Sequence, residues 1–335
     1  MAKELKQGYW RIVWRQFRRN WLAMLGLVLI LAIGIIALLA PFLAGDIPIY
    51  LLKDGKSYWF PNLITYSDLQ KNNLYDNFDR WKPGPGDYIV RPPVPYGPLR
   101  QDLFSSLKPP SKAHWLGTDN RGRDVLSRMI WGAQISMAVG FVAMGIAVII
   151  GLIMGALAGY YGGWVDAIVL RLIEIVLTVP TFFLVLIAVA MLQPSIYNIM
   201  AVIGMTGWPG IARLVRGEML KQRQQDYTTA ATASGLRNTR IIFRHLLPNA
   251  VSPVFVAASF GVAGAILTET GLSFLGFGVP APTASWGELL NQSRQYVLTA
   301  WWLVTFPGVA IFVTVTAFNL IGDGLRDAMD PRLRQ

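Results

Sequence analysis

Asp226 to Pro248, DYTTAATASGLRNTRIIFRHLLP, is a polar and basic stretch set between strongly apolar runs. Asp226 is placed to cap a helix, its carboxylate accepting backbone N–H groups. Ala230, Ala231 and Ala233 follow, small residues that allow a partner surface to come close. Gly235 is a natural left-handed stop, because glycine carries no Cβ penalty at positive φ. Asn238 to Leu247 resumes as a second helix with Arg240 and Arg244 four apart, and Pro248 marks the entry to the next apolar run. The expected shape is two short helices with a bend, able to seat in a groove of a soluble protein. A chain that only had to span a bilayer would have little use for it.

The surroundings of this stretch are membrane-like. Of 335 residues, 53% are hydrophobic and only 15% charged, where soluble domains carry about 25% charged residues. A spanning helix needs ~20 apolar residues, since the hydrocarbon core is ~30 Å thick. The uncharged runs are Trp21 to Gly45, Gln134 to Val165, Ile175 to Ala212, Leu246 to Thr268 and Gln295 to Gly322. The third is too long for one helix and divides at Gln193-Pro194-Ser195, a turn signal, which gives six spans. The expected class is an all-α polytopic membrane protein with six transmembrane helices. The first run reads as a span rather than a cleavable signal, because it is long and Pro41-Phe42-Leu43-Ala44 lacks a clear small-residue cleavage site.

The net charge of +11 first suggests nucleic acid, but the basic residues flank the spans. Lys3, Lys6, Arg11, Arg15, Arg18 and Arg19 precede the first. Arg213, Arg216, Lys221, Arg223, Arg237, Arg240 and Arg244 lie in the loop after the fourth, and the positive-inside rule accounts for both groups. Both termini are therefore expected in the cytoplasm, and no nucleic-acid partner is expected. The absence of cysteine excludes disulfides, thiolate metal sites and a cysteine nucleophile.

Residues 1–20 read as a basic amphipathic segment at the inner membrane surface, with Tyr9, Trp10, Trp14, Phe17 and Trp21 at headgroup level, or as a simple topology anchor. Residues 21–45 form the first span. Residues 46–112 form an extracytoplasmic insert rich in proline and aromatics. Disordered linkers are poor in aromatics, so a small, loop-rich folded cap is expected. It would pack on the outer face, meet a docking partner, or serve as a spacer. Residues 113–335 hold the other five spans. Ala143, Ala147, Gly151, Gly155 and Gly159 form a small-residue seam at four-residue spacing. Such seams let helix backbones approach closely, within one bundle or between copies.

Ionisable groups at membrane depth are costly and usually functional. Arg171 and Glu174 lie three apart on one helical face, either on a path or as a structural pair. Pro180 inside the third span and Pro209, with Gly207 and Gly210, inside the fourth invite kinks that suit a path that opens and closes. Glu269 would line the outer mouth of a path or bond a neighbouring helix. These five are the candidate translocation residues.

No catalytic or metal site emerges. His114 and His245 share no metal-ligand spacing, and Ser273 lacks the second glycine of a nucleophile elbow. Gly55-Lys56-Ser57 lacks the earlier glycine of a phosphate-binding loop, where Tyr50 stands. The chain is thus expected to have no ATPase site, catalytic residue, cofactor or metal of its own.

The loop, read as 217–248, resembles the coupling loop of the permeases of binding-protein-dependent ABC importers. Their signature is Glu-Ala-Ala-x3-Gly-x9-Ile-x-Leu-Pro, and Ala230, Ala231, Gly235, Leu247 and Pro248 fall on it. Thr229 stands where glutamate is usual and His245 where isoleucine is usual. His114-Trp115-Leu116-Gly117-Thr118-Asp119 with Gly122-Arg123-Asp124-Val125-Leu126-Ser127-Arg128 resembles the segment before the second span in dipeptide, oligopeptide and nickel permeases. Gly159 to Asp166, and Leu272 to Gly278 with Ser285-Trp286-Gly287, resemble later loops of the same family. The insert is similar to that of oligopeptide permeases with an enlarged first outer loop.

The resemblance implies a type I ABC importer permease (MetI-like) fold and a C-type permease subunit in a bacterial or archaeal cytoplasmic (inner) membrane. It implies a heterodimer with a second, homologous permease, two ABC ATPase subunits that bind ATP and Mg, and an extracytoplasmic substrate-binding protein. Asp226, Tyr227, Thr229, Ala230, Ala231, Gly235, Leu236, Arg240, Arg244 and Pro248 would then couple to the ATPase. The implied cargo is a short peptide, with a nickel chelate, glutathione or an oligosaccharide as alternatives. A secondary transporter would need mid-membrane ion-coupling residues and inverted repeats, and a structural anchor would not need six kinked spans.

Overall fold

A computed structural model describes residues 9–75, 77–78 and 81–330. Lys3 and Lys6 lie outside the described residues. The elements run α1 (Tyr9–Arg19), α2 (Trp21–Leu38), β1 (Tyr50–Lys53), β2 (Lys56–Trp59), α3 (Ser67–Lys71), β3 (Tyr88–Val90), α4 (Val125–Tyr161), α5 (Gly163–Thr178), α6 (Thr181–Met191), α7 (Ile196–Arg223), α8 (Asp226–Ala233), α9 (Ser252–Phe274), α10 (Trp286–Ser293) and α11 (Trp302–Met329), with shorter turns between.

Among the described residues α2, α4, α9 and α11 are long and apolar enough to cross a bilayer, and α5 with α6 meets the same condition as a pair bent by 83°. The kink expected within a helix at Pro180 is instead a break. Val179 is extended, Pro180 caps α6 and the chain turns sharply. Proline lacks an N–H to continue the helix and pushes the residue before it out of the α region. The fourth expected span falls on α7. That helix is interrupted in apolar character by Asn198, Thr206 and Gly207-Trp208-Pro209-Gly210, and turns basic from Arg213.

The chain divides into two units, Met1–Ile30 with Val139–Glu269 and Val313–Gln335, and Leu31–Ala138 with Thr270–Phe312. In the first, α1 is amphipathic. Val13 and Phe17 are buried with Ala23 and Ala328, while its arginines are exposed. The small-residue seam of α4 packs within the chain against α7. A Cβ on Gly151 would stand 2.6 Å from Ile211, one on Gly155 2.5 Å from the Ala212 carbonyl, and one on Gly159 2.6 Å from Met219. Ala158, Val169, Ile173, Trp208 and Ala212 bury one another where α4, α5 and α7 meet. Arg216 grips Asp166 with both arms of its guanidinium, Nη2 to Oδ2 at 2.6 Å.

The seam makes a prediction. Gly155→Leu places its first carbon against backbone that cannot yield, so overpacking should cost about 1–3 kcal/mol or more. Thermal unfolding of the purified protein should fall clearly below the wild type. Gly145→Leu, on the same helix where a Cβ meets nothing within 4 Å, should not lower it.

In the second unit the insert folds around a three-stranded antiparallel sheet, order β2-β1-β3. This sheet departs from the all-helical expectation. Asp54-Gly55 makes its hairpin turn, both at positive φ (52° and 72°), as a two-residue turn requires. Gly55-Lys56-Ser57 is therefore turn and strand. Leu51, Tyr58, Leu69, Leu74 and Phe78 form a core under the sheet. Arg91 Nη2 donates to the Phe78 and Trp81 carbonyls at 3.0 and 3.1 Å. The insert thus has a hydrophobic core of its own.

The same unit holds a buried charge network. Arg123 Nε donates to Asp119 at 2.7 Å, and Arg123 Nη2 to Gln292 at 2.8 Å. Arg128, fully buried, donates from Nη2 to Glu288 Oε2 at 2.8 Å. Gln292 in turn donates to the other Glu288 oxygen. Burial pushes the Glu288 carboxyl up, and the Arg128 charge opposes this. Asp124 accepts from Ser127 N at 2.8 Å and meets His114 Nδ1 at 2.8 Å. Gly117 sits at φ +78°, and a Cβ there would also stand 2.7 Å from the Lys108 carbonyl and 2.8 Å from Trp302 Nε1, which donates to Thr118 O at 3.1 Å.

Candidate functional site

The loop 217–248 lies wholly in the first unit. Asp226 does not cap α8, because it is the first residue inside the helix. Gln225 holds the cap position without a side-chain bond. The carboxylate instead faces the helix N-terminus as a favourable charge. Thr228 is the residue that ties the helix down, its hydroxyl donating to Gln222 O at 2.8 Å. Thr228 and Ala231 are buried, and Asp226, Tyr227, Thr229 and Ala230 are exposed. Tyr227 Oη donates to Gln222 Oε1 at 2.7 Å.

Gly235 ends α8 at φ +71°. Its N–H donates to Thr232 O at 3.0 Å and Leu236 N donates to Ala231 O at 3.3 Å, the paired bonds of a Schellman stop. A Cβ at Gly235 would meet nothing within 4 Å. The second helical stretch follows as expected, but with a π turn at Ile241–Leu246 between Asn238–Arg240 and Leu247–Ala250. Ile241, Ile242 and Leu246 bury one face while Arg240, Arg244 and Pro248 remain exposed. Tyr160 Oη, from the end of α4, donates to Asn238 Oδ1 at 2.9 Å. Tyr160, Tyr161, Arg223, Thr228, Thr229, Thr232 and Asn238 border a polar cleft of about 400 Å³. The arrangement is a short helix fastened on one face, open on the other, with its direction fixed by a glycine.

A second feature of this unit is a cavity of about 420 Å³ between α4, α6, α7 and α9. Its walls carry Thr181, Thr206, Gly207, Gly210, Gly264 and Thr268 among alanine, valine, isoleucine and methionine side chains, and none of its lining residues is ionisable. The Thr206 and Thr268 hydroxyls donate back to their own helices, to Val202 O at 2.9 Å and Gly264 O at 2.8 Å. The wall is thus mild: oxygen acceptors and small apolar surfaces without fixed charge.

The candidate path residues are not gathered around this cavity. Arg171 and Glu174 pair at 3.0 Å as expected, on an exposed face of α5. Pro180 immediately precedes the lining residue Thr181. Pro209 is buried inside α7, between the lining residues Gly207 and Gly210. Glu269 is fully buried and does not line the cavity, although its neighbour Thr268 does. The signal that could have found the cavity is the row Ala257, Gly261, Gly264, Ala265 and Thr268, small residues along one face of α9.

Comparison with known proteins shows the family. Residues 147–335 match the family of binding-protein-dependent transport system inner membrane components. Residues 8–72 match the N-terminal transmembrane domain of oligopeptide transport permease C. A dipeptide transport system permease of Alkalihalophilus pseudofirmus is 36% identical over 97% of this chain and 90% of its own. An oligopeptide transport system permease of Bacillus subtilis is 34% identical over 97% and 90%. Among solved structures, an inward-facing MetNI methionine ABC transporter is similar at a TM-score of 0.48 and 19% identity, over 61% of this chain and 96% of that one.

Proposed function

The chain belongs to the inner-membrane components of binding-protein-dependent transport systems, and on that premise we propose that it is the C-type permease subunit of an ATP-driven importer of short peptides. The observation that carries the coupling role is α8, fastened by Thr228 and Ala231 and open along Asp226, Tyr227, Thr229 and Ala230. In this reading a soluble ATPase subunit receives that face. The Gly235 stop transmits its movement through the 238–250 helix into α9. A second, homologous permease completes the membrane part, and a binding protein delivers cargo from outside. In the same reading the chain has six spans, α7 among them, with both termini in the cytoplasm and the 46–112 cap outside. The peptide cargo is inferred from the named relatives, whose lengths this chain nearly covers. ATP and Mg act in the partner subunits.

The decisive experiment is mild-detergent purification of the tagged chain from its native membrane, with identification of companions and an ATPase assay. A second permease and ATP-hydrolysing subunits are expected. Isolation of a lone chain or a homo-oligomer, with ATPase subunits expressed and a Gly235→Cys chain forming no crosslink to them, would overturn the reading.

The cavity is proposed as part of the path. A Cβ at Gly264 meets nothing within 4 Å, so a larger side chain there enters the cavity rather than the backbone. Gly264→Leu should leave assembly intact. A steric cost of about 1–3 kcal/mol on each passage lowers peptide uptake by about tenfold. Radiolabelled peptide uptake in proteoliposomes measures it, and unchanged uptake removes the cavity from the path.

A further inference from the structure

A groove in the first unit lies between α1, α9 and α11, lined by Trp10, Trp14, Phe17, Phe255, Leu325 and Met329 among other apolar side chains, with a volume of about 310 Å³. The rings are ordered around it. Trp10 stands edge-on to Phe255 at 5.6 Å, and Trp14 stacks on Phe17 at 5.8 Å. Both tryptophans are about half exposed.

The flank of α1 next to Trp14 is cationic, since Arg11 and Arg18 lie three and four residues from it and so beside it on the helix surface. Arg11, Arg15 and Arg18 recur at helical spacing along it, with Arg19 beside them, and all four are exposed. None of them meets a carboxylate among the described residues. An apolar groove calls for hydrocarbon, and a row of guanidinium groups with no described carboxylate beside it calls for an anion. The guanidinium fork suits a phosphate in particular. A soluble anion leaves the groove empty, and an apolar helix leaves the arginines unanswered. One molecule that satisfies both is amphiphilic and acidic.

We propose that this groove is a binding site for an anionic phospholipid of the inner leaflet, with an acyl chain along Phe255 and Leu325 and its phosphate on Arg11, Arg15 and Arg18. The site rests on the cytoplasmic placement of the N-terminus proposed above, and not on the identity of the cargo. Its occupant ties the amphipathic helix to α9 and α11. Basic clusters beside spans attract acidic headgroups in general. The groove adds a defined seat for the chain.

The test uses the intact complex with its partner subunits, in vesicles of phosphatidylcholine containing phosphatidylglycerol with a photoreactive acyl chain. Labelled peptides are expected within residues 10–17, around Phe255 and within 321–329. Unlabelled phosphatidylglycerol should compete about tenfold better than phosphatidylcholine. The combined variant Arg11→Gln, Arg15→Gln, Arg18→Gln should abolish that preference. Leu325→Trp should reduce labelling of the groove with every arginine in place, which general surface attraction cannot do. Equal competition by the two lipids in the wild type, labelling spread evenly around the spans, or occupation of the groove by another subunit in crosslinking would each overturn the proposal. The wild-type competition decides the matter even if a variant fails to assemble.

Discussion

Replacing Arg128 with alanine is expected to remove about 3–5 kcal/mol of stability, because it leaves the Glu288 carboxylate buried without its cation. Folded domains hold only about 5–15 kcal/mol in total, so the variant should scarcely accumulate. The loss spreads, since Glu288 also accepts from Gln292, and Gln292 from Arg123. The Lys56–Asp68 pair offers the contrast. It is exposed at both ends, and Lys56→Ala should change stability by about 0–1 kcal/mol. Thermal unfolding of both purified variants checks the pair of expectations. An Arg128→Ala protein as stable as the Lys56→Ala protein would show that Arg128 does not compensate the buried Glu288 as described.

The second large effect belongs to Gly235. At φ +71° a β-branched residue is strained by about 1–2 kcal/mol, although no neighbour blocks the side chain. Gly235→Val should therefore insert and assemble, because the added side chain meets no neighbour. It relieves the strain by reorienting α8, so ATP turnover continues while peptide uptake falls by about tenfold or more. Gly235→Asn, which tolerates the left-handed region, should keep most of the uptake. Paired ATPase and uptake assays on the same proteoliposomes measure the ratio. Normal uptake by the valine variant counts against the coupling role, and equal damage by asparagine counts against backbone conformation as the cause.

Features governed by local rules were legible in the sequence. The apolar runs, the amphipathic α1, the seam on α4 and the glycine stop of α8 each follow from spacing within one or two turns of helix. The direction of the chain at Pro180 was not. A proline signals a break or a kink, and the packing around Val179 and Thr181 decides which. Lys53-Asp54-Gly55-Lys56 carries the two-residue turn signal of the hairpin, but the prolines and aromatics around it are equally compatible with loops. The charge network could not be read locally, since Arg128 and Glu288 lie 160 residues apart. Asp226 looked like a cap because the sequence does not reveal that the helix begins one residue early. The cavity is not legible as a motif because its lining is defined by small residues brought together from four helices.

That uncharged lining has an electrical consequence. Each elementary charge carried across the bilayer couples a movement to the membrane potential by about 2.3 kcal/mol per 100 mV. The cavity wall carries no such charge, so on the path proposed above its lining side chains add no charge movement when the cavity opens to one side or the other. Any voltage sensitivity of that step has to come from charges elsewhere on the moving helices.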